Sequence, residues 1–176
     1  MKVSKILITK EEIAECVKAL AARINADYKG KELYVIGILN GSFIFMADLV
    51  RALDVDLKIE FMGISSYQDG TESTGKLLIT KDIHLNLNAA DVLVVEDIID
   101  SGVTAARLVE MLKSRNTKSI KVCALLNKQS RRVNDFSADY VGFEIEDEFV
   151  VGYGLDCAGK FRNLREIAHL AFEPAP

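Results

Sequence analysis

Glu96 and Asp97 stand side by side after an apolar run, Val92-Leu93-Val94-Val95, and shortly before Asp100-Ser101-Gly102-Val103-Thr104. Adjacent carboxylates at a strand end can bind a divalent cation, receive a sugar diol or cap a helix. The diol suits them because each hydroxyl donates and an ionised carboxylate only accepts. The turn from Asp100 to Thr104 adds main-chain N–H groups, two hydroxyls and a glycine that lets a ligand approach the backbone. A phosphate monoester fits such a cradle. A sugar on the acids with its phosphate in the turn has the spacing of a ribose 5-phosphate. The stretch is neither the Gly-x-x-x-x-Gly-Lys-Ser/Thr phosphate loop nor the Gly-x-Gly-x-x-Gly dinucleotide fingerprint.

These residues need a buried strand before them and a helix after them. The β-branched run at 92–95 reads as a strand buried on both faces, and Ala105, Leu108, Val109 and Leu112 recur at helical spacing from Thr104 to Arg115. Strand, acidic pair, small-residue turn and helix together mark the C-terminal edge of a parallel sheet, where open α/β sheets bind ligands. A second such unit precedes it: strand Leu33–Leu39, turn Asn40-Gly41-Ser42, helix from Phe43 to Leu53. Its turn is either another anion pocket or an ordinary strand-to-helix connection.

The remaining chain supports these two units. Thr9-Lys10-Glu11-Glu12 is a capping-box pattern opening an amphipathic helix that runs to near Gly30. Val55 to Phe61 alternates as a half-exposed strand, and the polar run from Ser65 to Gly75 reads as a long loop, a hairpin tip or a cover for the site. Lys76 to Thr80 and Ile120 to Leu126 are further strands, with Asn127-Lys128 at the end of the second. A basic turn, Gln129 to Arg132, leads to short strands at Tyr140–Phe143 and Phe149–Tyr153 and to a short terminal element between Asn163 and Phe172. His84, His169 and Cys123 read as structural residues, and Cys157 lacks a neighbouring base for nucleophilic work.

At 176 residues the chain reads as one domain, 1–176, long enough to bury roughly 70% of its unfolded surface. The net charge of −4 argues against a nucleic-acid surface. Three widely spaced cysteines suggest no disulfide framework or zinc site, so a reducing cytoplasm is the expected location. No apolar run has the length of a membrane span, and the N-terminal residues lack a signal-peptide pattern.

The stretch from Val94 to Thr104 resembles the phosphoribosyl-pyrophosphate (PRPP) signature of the purine phosphoribosyltransferases, in particular the hypoxanthine-guanine branch. Asn40-Gly41-Ser42-Phe43, Ser66-Tyr67, the segment Phe149 to Asp156, and Phe161-Arg162 agree in the same order. The resemblance implies a type I phosphoribosyltransferase fold: an α/β architecture with a central, mainly parallel sheet flanked by helices and a small hood formed by terminal segments. It implies purine salvage, with the 5-phosphoribosyl group of PRPP passing to hypoxanthine or guanine to give IMP or GMP and pyrophosphate, with Mg2+ as cofactor.

Residue by residue, the resemblance implies that Glu96 and Asp97 hold the ribose hydroxyls, directly or through magnesium. Asp100 would lie beside the purine N7 as general base or acid, and Ser101, Gly102, Val103 and Thr104 would bind the 5-phosphate. Asn40, Gly41, Ser42 and Arg162 would bind pyrophosphate, in a loop that tends in the family to hold a cis peptide. Lys128 would meet the 6-oxygen, Phe149 would stack on the ring, and Val150 and Asp156 would offer their backbones to the base edge. Asp156 would hold a second magnesium, and Ser66 and Tyr67 would ride on a closing loop. The family usually carries Lys or Arg where this chain has Asn40. It also suggests a homodimer or homotetramer.

The alternative in another class is a non-catalytic regulator that senses PRPP or nucleotides on the same fold. Retention of Asp100, Lys128, Phe149, Asp156 and Arg162, with an acidic net charge, favours the enzyme. A xanthine- or pyrimidine-directed transferase fits the segment from Phe149 to Asp156 less well.

Overall fold

The computed structural model describes residues 2–69 and 72–171, with the backbone alone for 66–69 and 72–77. Its elements are β1 (Lys2–Ile8), α1 (Lys10–Asp27), β2 (Leu33–Leu39), α2 (Phe43–Ala52), β3 (Leu57–Asp69) and β4 (Glu72–Lys81). They continue with β5 (Asp91–Ile99), α3 (Val103–Lys113), β6 (Ser119–Asn127), β7 (Tyr140–Glu144), β8 (Val150–Val151) and β9 (Ile167–Ala171). A short 3-10 turn spans Gln129–Arg131.

Six strands form the main sheet in the order β4-β3-β2-β5-β6-β7. All neighbours are parallel except β3 and β4. The apolar runs explain why β5 is central: Val92, Leu93, Val94 and Val95 are all fully buried. Leu93 and Val95 face the core lined by α1 and α2, whereas Val92 and Val94 face Leu108 and Leu112 of α3. Both faces of the sheet are therefore covered, as parallel sheets require. Truncating a buried leucine such as Leu93 or Leu108 to alanine would cost about 2–5 kcal/mol.

The expected hood is present as a second sheet, β1-β9-β8, in which the N-terminal strand pairs with the last strand. The capping box of α1 is also present, with Glu12 N–H donating to Thr9 Oγ1 (3.3 Å) and Thr9 N–H to Glu12 Oε2 (2.8 Å).

Three boundaries differ from the sequence reading. β5 does not stop before the acidic pair but carries Glu96 and Asp97 within it, because its ladder with β6 runs on to Ile98↔Leu126 and Ile99↔Asn127. Of the stretch from Ser65 to Gly75, the described residues lie in β3 and β4, which agrees with the hairpin among the readings that composition left open and not with a long loop. β3 and β4 pair through Ser65↔Leu78, Ser66↔Leu77 and Gln68↔Ser73, so main-chain bonds organise residues whose composition looked loop-like. β8 is only two residues long, because Gly152 N–H turns back to the Leu155 carbonyl (3.0 Å).

Candidate active site

β2 and β5 are neighbours in the sheet and end on the same edge, each followed by a turn and a helix. This brings the 40–42 turn against the acids of β5. The Leu39–Asn40 peptide is cis, the feature expected of this turn. A β-carbon on Gly41 would fall 1.5 Å from Asp97 Oδ2, so only glycine fits there. Gly154 presses on the other side: its φ is +106°, and a β-carbon would lie 2.0 Å from the Gly41 carbonyl oxygen. The turn after β2, the acid of β5 and the turn after β8 are thus stacked without room for side chains between them.

Arg162 secures the third layer. Its Nη1 donates to the Gly154 carbonyl (2.7 Å) and its Nη2 lies 2.6 Å from Asp156 Oδ1, while Gly159 N–H donates to Asp156 Oδ2 (2.7 Å). A cleft of about 330 Å³ opens beside these groups. Of the residues singled out from the sequence it gathers Asn40, Gly41, Glu96, Asp97, Asp100, Ser101, Gly102, Thr104, Asp156 and Arg162.

The two acids are held in an unfavourable setting for charge. Burial drives the Glu96 carboxyl well above its ordinary range, and the Asp97 charge adds to this. Burial pushes Asp97 up to about 6, against the opposing pull of the Ile98 N–H (2.9 Å) and the Arg162 charge. Among the described residues neither carboxyl takes part in an ion pair. Such a pair is poised to accept a cation or hydroxyl donors.

The phosphate cradle follows from how α3 begins. Gly102 precedes the helix with φ +81°, and the first helical bond runs from Ala106 N–H to the Gly102 carbonyl (3.0 Å). The N–H groups of Val103, Thr104 and Ala105 therefore have no carbonyl partner within the helix. Val103 N–H meets Ser101 Oγ at 3.4 Å, and Ser101, Gly102, Thr104 and Ala105 line the cleft, so a helix N-terminus borders it.

A segment that composition marked only as a basic turn underpins this loop. Lys128 N–H donates to the Ile99 carbonyl (2.9 Å) and Val133 N–H to the Ser101 carbonyl (3.1 Å). Arg132 packs under Gly102, whose β-carbon would lie 2.6 Å from Nη1, and its Nη2 donates to Asn127 Oδ1. Arg132 Nε and Nη1 are buried without a hydrogen-bond partner among the described residues. Arg131 Nε stands 3.1 Å from Asp100 Oδ1. The available signal was position: the turn follows β6, the parallel neighbour of β5, so its side chains emerge beside the acidic turn.

Other expected site residues lie apart from the cleft lining. Ser42 is fully buried and its hydroxyl donates to the Ile38 carbonyl (2.6 Å), so its side chain is turned inward and away from any ligand. Lys128 is 7% exposed, with Nζ 3.6 Å from Asp147 Oδ1, at the adjoining strand end. Phe149 is 45% exposed and Val150 is buried in β8; neither they nor Val103 line the cleft. Ser66 and Tyr67 lie in β3, and their side chains are outside the described residues. Cys123 is buried in the core, as expected. His169 is held in β9, its Nδ1 2.7 Å from Ser4 Oγ.

Comparison with known proteins agrees along nearly the whole chain. Residues 3–158 match the phosphoribosyl transferase domain. The hypoxanthine-guanine phosphoribosyltransferase of Staphylococcus aureus (strain Mu50) is 46% identical over 166 residues, 94% of this chain and 93% of the relative. The Bacillus subtilis (strain 168) enzyme of the same name is 46% identical over 168 residues, 96% and 93% of the two chains. A crystal structure of a hypoxanthine-guanine phosphoribosyltransferase from Bacillus anthracis, 48% identical, superposes with a TM-score of 0.93 over 97% of this chain and 100% of that one.

Proposed function

The chain belongs to the phosphoribosyltransferase family, and from that premise we propose that it joins hypoxanthine and guanine to the 5-phosphoribosyl group of PRPP, releasing pyrophosphate and forming IMP and GMP. One observation carries the reading beyond the family. A buried acidic pair, a turn at a helix N-terminus whose N–H groups have no carbonyl partner within the helix, and an anchored arginine share a single cleft. Such a cleft suits a molecule with a diol in the middle and phosphates at both ends.

Each residue then has a task. Glu96 and Asp97 receive the ribose hydroxyls. The main chain of 101–104 binds the 5-phosphate. The main chain of Gly41 and Ser42, with Arg162, holds the pyrophosphate, and an arginine suits that task because its fork meets phosphate oxygens in pairs. Asn40 contributes backbone there and no positive charge. Lys128 turns from Asp147 to the 6-oxygen of the purine, Phe149 covers the ring, Val150 offers main-chain groups to its edge, and Asp100 exchanges a proton with N7. As pyrophosphate departs, the sugar becomes oxocarbenium-like and the purine nitrogen attacks. Arg162 stabilises the charge growing on the leaving group. A closing segment that carries Ser66 and Tyr67 keeps water from the reactive sugar.

The donor set fits magnesium. Among the described residues no three acidic, histidine or cysteine side chains converge, but magnesium is often held by one or two carboxylates together with substrate oxygens and water. Glu96 and Asp97 would hold it on the ribose side and Asp156 on the pyrophosphate side. When bound, the ion supplies positive charge that offsets the charge on pyrophosphate. No helix among the described residues is long and apolar enough to cross a membrane. We infer a cytoplasmic enzyme, acting as one unit over 1–176 and assembling as a homodimer or homotetramer.

The test is a spectrophotometric assay with PRPP, magnesium and each of adenine, hypoxanthine, guanine and xanthine. Product is expected with hypoxanthine and guanine. No product with any base would overturn the enzyme in favour of a PRPP-sensing regulator.

A further inference from the structure

We infer that Arg131 is a positioning residue for the transfer: it fixes the Asp100 carboxyl and ties it, through Asp147, to Lys128. The inference rests on the reading above, in which Asp100 handles the N7 proton and Lys128 meets the 6-oxygen.

Two side chains of opposite charge, Asp147 and Arg131, bridge the two groups that would act on the purine, making a row of four with charges that alternate. Lys128 Nζ lies 3.6 Å from Asp147 Oδ1, Arg131 Nη1 donates to Asp147 Oδ2 (3.1 Å), and Arg131 Nε lies 3.1 Å from Asp100 Oδ1. That last oxygen is closed to solvent and has no hydrogen-bond partner among the described residues, so the contact is one of charge without hydrogen-bond alignment. The Asp100 side chain as a whole is 47% exposed and borders the cleft. One side of the carboxyl is thus held from behind while the rest faces the place a purine would occupy. Removing the guanidinium takes away the ion-pair partner of the inner oxygen and frees the side chain to turn.

Arginine is the residue type that can do this. Its Nε and Nη1 lie on one rigid plane and meet two different carboxylates at once, whereas a lysine ammonium is a single point charge on a flexible stem. The Arg131 side chain is itself 51% exposed on the short turn, so its loss opens no core cavity. The turn is held by main-chain bonds, Lys128 N–H to Ile99 and Val133 N–H to Ser101, which do not depend on that side chain. Asp147 is the shared member. Without Arg131 it is left to Lys128, and an incoming purine must compete with it for the ammonium.

The experiment compares Arg131→Ala and Arg131→Lys in the wild-type and Asp100→Asn backgrounds, measuring kcat, KM for PRPP and for hypoxanthine, and melting temperature. Arg131→Ala should lower kcat roughly ten- to a hundredfold, as misplacing a reacting group does. KM for hypoxanthine should rise, and KM for PRPP should stay within about twofold because that substrate is bound elsewhere. Arg131→Lys should recover little of the rate and should melt like the wild type. In the Asp100→Asn background the same substitution should add less than about threefold, because residues acting as a unit are not additive. An unchanged kcat, full rescue by lysine, or a kcat loss that multiplies in full on top of Asp100→Asn would overturn the inference while leaving the reading of Asp100 intact. Wild-type turnover in Asp100→Asn alone would overturn both together.

Discussion

Gly41 lies so close to the Asp97 carboxylate that a β-carbon on it would stand 1.5 Å from Oδ2. The contact joins the turn after β2 to the acid on β5, beyond the last paired position of the two strands, Gly37↔Val95. Gly41→Ala must push one of them away, and Gly154 at the Gly41 carbonyl closes the other direction. The expected result is a loss of kcat/KM for PRPP of about a hundredfold or more, since displacements near 1 Å at a reacting centre have that effect. Steady-state kinetics check it, and a variant at wild-type efficiency would show that the Asp97 position does not matter.

The acidic pair makes the ligand-free protein sensitive to pH in a direction opposite to most carboxylates. Asp97 is raised from 3.8 to about 6 in the fold, so between those values the unfolded chain gives up its proton first and deprotonation favours unfolding. Its contribution is therefore most favourable below about pH 4 and is lost as the pH rises toward 6. Glu96 is shifted the same way and extends the loss. Asp97→Asn should remove the Asp97 share: the variant should melt higher than wild type at pH 7 and lose that advantage near pH 4, while its activity falls. Calorimetry across pH 4–8 without ligand or metal measures it. Equal melting temperatures at pH 7 would mean the charge is already compensated.

Glu60 shows the ordinary sign. The Lys81 ammonium (2.8 Å) is the main cause that pushes its carboxyl down to about 2, assisted by the Phe61 N–H (3.1 Å). Lys81 also donates to the Phe61 carbonyl (2.6 Å), so the group clasps the base of the β3–β4 hairpin. A depressed carboxyl stabilises above its unfolded value of 4.5, and that stabilisation is lost as the pH falls toward 2. Glu60→Gln should lower the melting temperature by about 1–3 °C at pH 7, the scale of a partly exposed ion pair. The gap should shrink as the solution is acidified below pH 4.5; a gap constant down to pH 2 would exclude the ion pair as its source.

The elements that position the site were legible wherever side-chain pattern and main-chain pairing coincide. Leu33–Leu39 is an apolar run between polar neighbours, and β2 has those bounds. Glu96 and Asp97 break the apolar pattern, yet β5 continues through them because β6 still offers partners. Composition describes side chains and is blind to that ladder, and the same blindness left a hairpin and a site cover undecided over Ser65–Gly75. Ser42 was placed in the pyrophosphate loop by its position, and composition could not tell that its hydroxyl donates to a carbonyl four residues back, which leaves the main chain to meet a ligand. Arg131 had no local signature at all. Its partners at 100 and 147 are brought to it only by the parallel neighbours β5 and β6 and by the chain's return after β7.

Lys128 is nearly buried, and among the described residues its ammonium is matched by a single carboxylate, Asp147, at 3.6 Å, too long for a tight pair. A loosely partnered buried ammonium is available to a better acceptor, and the 6-oxygen of hypoxanthine or guanine supplies one. Lys128→Ala should raise KM for both purines by about ten- to a hundredfold, matching a charge-assisted hydrogen bond of roughly 1.5–3 kcal/mol. KM for PRPP should change far less, because the Lys128 side chain stands outside the cleft that holds the acids and the phosphate turn. Asp147→Asn should act in the opposite sense on the purine, releasing the lysine from its competitor and lowering KM or leaving it unchanged. Initial rates with each substrate varied in turn separate these effects. If Lys128→Ala kept its purine KM and lost PRPP affinity instead, the lysine would belong to the phosphate side of the site.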